Sequence, residues 1–139
     1  GAKFLVAPDF NENVSEFCVD KKLAYFPGAL TPTEIQKAWN SGATMVKIFP
    51  ASQMGPTYFK QIKGPFDKIK LMAVGGVNLE NIKEYLTSGA DALALGGSIF
   101  SIKRMENLLF SEIQNDIEDF MFEVKSFYSK INSNNLTNR

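Results

Sequence analysis

One lysine in this sequence stands where charge is costly. In "MVKIFPA" (Met45–Ala51), Met45 and Val46 precede Lys47, and Ile48, Phe49 and Pro50 follow it. A lysine is almost never fully buried without a partner or a task. Side chains alternate along a strand, so Met45, Lys47 and Phe49 share one face while Val46 and Ile48 share the other. Lys3 and Lys70 also touch apolar runs, but each opens its run, where an ammonium reaches water. An amine held among apolar groups has its charged form disfavoured, and the neutral amine attacks carbonyls. Three plainer readings stand beside that one: an edge-strand position, a buried ion pair, or a stem that snorkels to solvent. On pattern alone they outweigh it.

Two glycine endings form the second candidate feature, "VGGV" (Val74–Val77) and "LGGSIF" (Leu95–Phe100). Glycine lets backbone amides come close to a ligand, and the N-terminus of a following helix favours an anion. In (β/α)8 enzymes a phosphate commonly sits at the loops after the last two strands. Neither motif is a P-loop, because the spacing and its lysine are missing. Each alone reads equally as a tight turn. Two on consecutive strands, downstream of a mid-strand lysine, point towards a site.

Strands and helices must alternate to position these residues. Five apolar runs recur: "KFLVAP" (Lys3–Pro8), "LAYFPG" (Leu23–Gly28), "MVKIFP" (Met45–Pro50), "KLMAVGG" (Lys70–Gly76) and "ALALGG" (Ala92–Gly97). Each is continuously apolar and ends in Pro or Gly, as strands buried on both faces do. Between them "TPTE" predicts a helix capped at Thr31, with Pro32 in its first turn and Glu34 completing a capping box. Ile35, Ala38 and Trp39 give that helix its apolar face, and Gly42 stops it. A second helix is expected from a cap at Asn78, presenting Ile82, Tyr85 and Leu86. Shorter ones are expected over Val14–Lys21 and Thr57–Lys63. A weak repeat, "GAKFLVAP", "GATMVKIFP" and "GADALALGG", fits a chain of βα units with parallel strands and right-handed crossovers. Such strands make an open sheet or part of a (β/α)8 barrel.

After Arg104 the texture changes to one helix or two, with apolar residues such as Leu109, Ile113, Ile117, Phe120 and Val124 near helical spacing. That stripe reads as core or interface. The domain reading is a partial barrel over 1–103, a helical segment over 104–131 and a flexible polar tail over 132–139. The Asn135–Thr137 sequon in the tail is a short chance-prone pattern. The opening "GAKFLVAPDF" lacks a methionine and enters a strand almost at once, which reads as a cut within a larger protein.

Composition bounds the function. The 139 residues are 45% hydrophobic, and fifteen basic side chains balance fifteen acidic ones. Neutrality gives no electrostatic case for a nucleic-acid or membrane partner. One cysteine, Cys18, forbids an internal disulfide and fits a reducing, cytoplasmic compartment. The absence of histidine removes imidazole as base or metal ligand and weakens any transition-metal reading; no metal and no cofactor is expected. No stretch approaches the length of a transmembrane span.

The sequence "VKIFPA", followed by "MGPTYFKQIKGPF", "AVGGV" and "GGSIF", resembles the class I aldolases of 2-keto-3-deoxy-6-phosphogluconate (KDPG) and 4-hydroxy-2-oxoglutarate (KHG), with their 6-phosphogalactonate relatives. The likeness runs from the opening strand to about Phe100. It implies an α/β fold whose strands match the fourth to eighth of a (β/α)8 TIM barrel. It implies that Lys47 is the Schiff-base nucleophile and that Phe49 packs near the pyruvyl unit. Pro8 and Pro27 would line the pocket, and Gly75, Gly76, Gly97 and Ser98 would hold phosphate. The products would be pyruvate and an aldehyde, glyceraldehyde 3-phosphate or glyoxylate, and the assembly a homotrimer. Val74 replaces the threonine usual in the phosphogluconate enzymes and brings the motif closer to the phosphogalactonate branch. The family's general acid/base glutamate lies on the second strand, with an arginine soon after, in a segment absent here. The isolated chain is therefore expected to be impaired. Other phosphate-binding barrels, epimerases or synthases, and a non-catalytic half-barrel are the alternatives.

Overall fold

The structure, a computed structural model, describes residues 1–137, and side chains as far as Ile131. All five apolar runs become strands: β1 (Phe4–Val6), β2 with β3 (Ala24–Phe26 and Gly28–Ala29), β4 (Val46–Ile48), β5 (Leu71–Val74) and β6 (Ala92–Ala94). Every pairing is parallel, and neighbours follow chain order. β2 and β3 are one extended run interrupted at Pro27, which has no N–H to give a ladder. The run still serves β4 at every second carbonyl: Tyr25, Pro27 and Ala29 accept from the amides of Thr44, Lys47 and Phe49.

Helices fill the connections. α1 (Glu12–Asp20) starts earlier than its apolar pattern predicts because Asn11 caps it, accepting from the Val14 amide. α2 (Pro32–Asn40) carries the full capping box of Thr31 and Glu34. α3 (Ala51–Met54) and α4 (Pro56–Lys63) follow β4. The helix expected from Asn78 is regular only over α5 (Ile82–Thr87), with a turn over residues 79–81 leading into it. Asn78 does cap that turn: its carboxamide oxygen accepts from the amides of Glu80 and Asn81, and its carbonyl accepts from the Ile82 amide. The Asn81 side chain fastens that turn, accepting from the Asn78 amide and donating to the Gly76 carbonyl. After β6 the chain forms two helices, α6 (Ile102–Glu106) and α7 (Phe110–Thr137). α7 thus extends into the segment assigned to a tail; the sequon's side chains lie outside the described residues.

The repeat has a physical basis. Ser41-Gly42-Ala43 and Ser88-Gly89-Ala90 end α2 and α5 alike, both glycines at positive φ, with matching amide-to-carbonyl bonds back into the helix.

The two faces of the sheet differ. Val46, Ile48, Leu71 and Ala73 lie under the helices with no exposed surface, against Ile35, Phe59, Ile82 and Tyr85. The Phe59 and Tyr85 rings meet edge to face at 5.4 Å. Each such large side chain contributes about 1.5–3 kcal/mol by leaving water. The other face carries Lys47 and its register partners Gly28 and Met72, and continues to Ala92. It lies open towards β1, where Phe4 and Val6 are 58% and 49% exposed. None of the described helices is long and apolar enough to cross a membrane.

Candidate active site around Lys47

β4 lies between β3 and β5, so Lys47 is not on an edge. It is 8% exposed, so its stem does not snorkel out. Among the described residues its amine has no ion pair or hydrogen bond; its one recorded contact is the Phe49 ring, 4.4 Å from Nζ to the centroid. All three plainer readings of a lysine within a strand therefore fail. Burial holds its pKa below the usual lysine value, with no charged neighbour contributing. A cation over an aromatic face gains some attraction, but far less than the water it has lost. The result is an amine that sheds its proton more easily than a surface lysine.

Phe49 also lines a cavity of about 260 Å³, walled by Pro8, Asp9 and Phe10 after β1 and by Gly28, Ala29 and Leu30 of β3 and its loop; Lys47 itself is not among its lining residues and meets it through the Phe49 ring. Two α2 side chains, Glu34 and Lys37, complete it. Glu34 is committed there: it accepts from the Leu30 and Thr31 amides, which hold its carboxyl pKa below the ordinary range. The Tyr58 hydroxyl donates to the Leu30 carbonyl and pins the same loop from α4. Pro8 and Phe49 thus meet at one cavity. Pro27 is fully buried and is not among its lining residues; its carbonyl accepts from the Lys47 amide at 2.9 Å.

The glycine loops divide into two kinds. Gly75 and Gly76 have φ of +90° and +81°, and their α-carbons press on neighbouring structure. A Cβ on Gly76 would stand 2.4 Å from Ser52 Cβ, and one on Gly75 would touch the Phe49 ring at 3.4 Å. The Ser52 amide donates to the Gly75 carbonyl, locking this loop to the start of α3. Gly96 and Gly97 have open space where a Cβ would stand. Ser98 faces a second cavity of about 250 Å³, shared with Asn78 and Leu79 from the other loop and with Asp116 and Phe120 of α7. The loops after β5 and β6 therefore come together, but Gly75, Gly76 and Gly97 do not line that cavity. Sequence reasoning missed Gly28. Its signal, a glycine inside a strand run, marks close backbone approach.

A family model described as "Aldolase: KDPG and KHG aldolase" matches residues 1–115. The 2-dehydro-3-deoxy-phosphogluconate aldolase of Haemophilus influenzae is 35% identical over 106 residues, 76% of this chain and 50% of that protein. The chain spans about half the length of the curated relatives it matches. A solved native KDPGal structure superposes with a TM-score of 0.78 at 28% identity, over 90% of this chain and 61% of that one. KDPG aldolase from Legionella pneumophila, with pyruvate captured as a covalent carbinolamine intermediate, superposes with a TM-score of 0.75 at 26% identity, over 83% and 56% of the two chains. Parallel strands in chain order, an unpaired buried lysine at their centre and these matches agree: the chain belongs to the KDPG and KHG aldolase family.

Proposed function

We propose that this chain is part of a class I aldolase that cleaves a phosphorylated 2-keto-3-deoxy sugar acid, or 4-hydroxy-2-oxoglutarate, into pyruvate and an aldehyde. The observation that carries the reading is Lys47, buried at the sheet centre with no counter-ion and a depressed pKa. Its neutral Nζ adds to the C2 ketone and, as water leaves, becomes an iminium. Loss of the C4 hydroxyl proton then breaks the C3–C4 bond, releasing the aldehyde, while the electron pair moves through C3 to the iminium nitrogen. Protonation of the resulting enamine at C3 and hydrolysis return pyruvate and the free amine. By family likeness, the base for the C4 hydroxyl would be a glutamate outside this chain.

The consecutive parallel order supports reading the strands as the fourth to eighth of a (β/α)8 barrel. Phe49 and Pro8 would flank the keto acid. Gly75, Gly76, Gly97 and Ser98 would meet a distal phosphate, the open backbone at Gly97 offering the freest approach. Family likeness also supports a homotrimer. Epimerase or synthase barrels have no use for an unpaired amine within this strand, and that separates them from the aldolase reading.

The test is reduction of a pyruvate adduct with borohydride, located by peptide mass spectrometry. The adduct is expected on Lys47 and absent in Lys47→Arg. A folded chain without an adduct, or with adducts scattered over surface lysines, overturns the proposal.

A further inference from the structure

We infer that Gly28 is a positioning residue, which admits the Pro8–Asp9 peptide against β3, beside the nucleophile strand, so that this peptide walls the cavity shared by Phe49, the ring under the Lys47 amine. The inference deepens the aldolase reading and rests on it only for the identity of the ligand. Gly28 is the register partner of Lys47 on the neighbouring strand, so a side chain there would project on the lysine's face. That space is filled by backbone: a Cβ on Gly28 would lie 1.9 Å from the Pro8 carbonyl oxygen, 2.3 Å from its carbon and 2.9 Å from the Asp9 nitrogen. Gly28 is not at positive φ, so nothing in its own conformation calls for glycine. Close approach is the whole reason.

The contact is also bonded. The Gly28 amide donates to the Asp9 carbonyl at 3.3 Å, and the Ala7 amide donates to the Phe26 carbonyl at 3.2 Å. These bonds lay the turn after β1 across β3. Pro8, Asp9, Gly28 and Phe49 then line one cavity, and Phe49 is the ring beneath the lysine amine. On this inference the wall restricts water at the Phe49 ring and so at the amine above it. Charged groups facing the cavity are Asp9 from the turn and Glu34 and Lys37 from α2. The register partner of Lys47 on β5 is Met72, and that of Met72 on β6 is Ala92, both uncharged.

Gly28→Ala displaces the wall by steric contact with backbone, which cannot rotate away. The full chain is acetylated with acetic anhydride across a pH series, and Lys47 labelling is read by peptide mass spectrometry, because only the neutral amine reacts. The labelling midpoint is expected at higher pH in Gly28→Ala than in wild type, as water reaches the amine. The pyruvate concentration for half-maximal borohydride trapping is expected to rise on the order of tenfold. Leu86→Ala, a core truncation on α5 outside the cavity, controls for lost stability: its melting temperature falls while its labelling midpoint stays. A folded Gly28→Ala with the wild-type midpoint overturns the inference. Should Gly28→Ala not fold, Pro8→Gly loosens the wall with Gly28 intact; an upward midpoint supports the inference and an unchanged one overturns it. Failure of wild type to trap pyruvate sinks the aldolase reading, while the acetylation comparison still decides the wall.

Discussion

Lys47 works against the stability of the sheet it sits in. Its folded pKa lies below the unfolded value of 10.5, so the unfolded chain holds the proton more tightly. Stability therefore rises with pH between the folded and unfolded pKa, and the full cost is present below the folded one. Lys47→Met should melt higher than wild type at neutral pH, by about 1 kcal/mol, because it removes an unpaired buried charge. The advantage should shrink as the pH approaches 10.5 in thermal melts across pH. Equal melting at every pH would falsify the cost assigned to that amine. Lys47 was legible in the sequence because a charge among apolar residues is a local anomaly. Gly28 was not, since its reason is contact with Pro8, twenty positions away in the chain.

At the scale of elements, the loop after β5 and the start of α3 act as one piece. Gly76→Ala meets two costs: positive φ, about 1–2 kcal/mol, and collision with Ser52 Cβ. Ser52→Gly removes the second alone, so Gly76→Ala/Ser52→Gly should recover part of the loss in a double-mutant cycle by urea unfolding. Strict additivity would show that the two loops are not in contact. Thr31→Ala should cost about 1 kcal/mol by the same measurement, because the Glu34 amide loses its acceptor. That cap was readable from "TPTE", where every partner lies within four residues. The cap at Asn78 was readable too, but the irregular turn after it was not, because Asn81 both accepts from the Asn78 amide and donates to the Gly76 carbonyl, tying the turn to the end of β5. Caps are local, whereas clamps depend on where the preceding strand ends.

Across the whole molecule the sheet has one sealed face and one open face. Leu71→Ala, beneath the helices, should lose about 2–5 kcal/mol. Val6→Ser, on the open face, should stay within roughly 0.5 kcal/mol of wild type in the same denaturation experiment. Comparable losses would mean that the open face is covered in solution. Strand order was legible from the alternation of runs, but the inequality of the faces was not, since Lys47 alone breaks the apolar interior of the runs and both faces otherwise read alike. The interruption at Pro27 bears on how the molecule breathes. The run meets β4 and its flanks through the Tyr25, Pro27 and Ala29 carbonyls, and β4 is buried and paired on its other side by β5, whereas β1 pairs with this run alone and exposes Phe4 and Val6. Amide hydrogens of β4 should therefore exchange with deuterium last and those of β1 early. The turn carrying Pro8 departs with β1, so the pocket can lose a wall and regain it while the strand bearing the nucleophile stays shut.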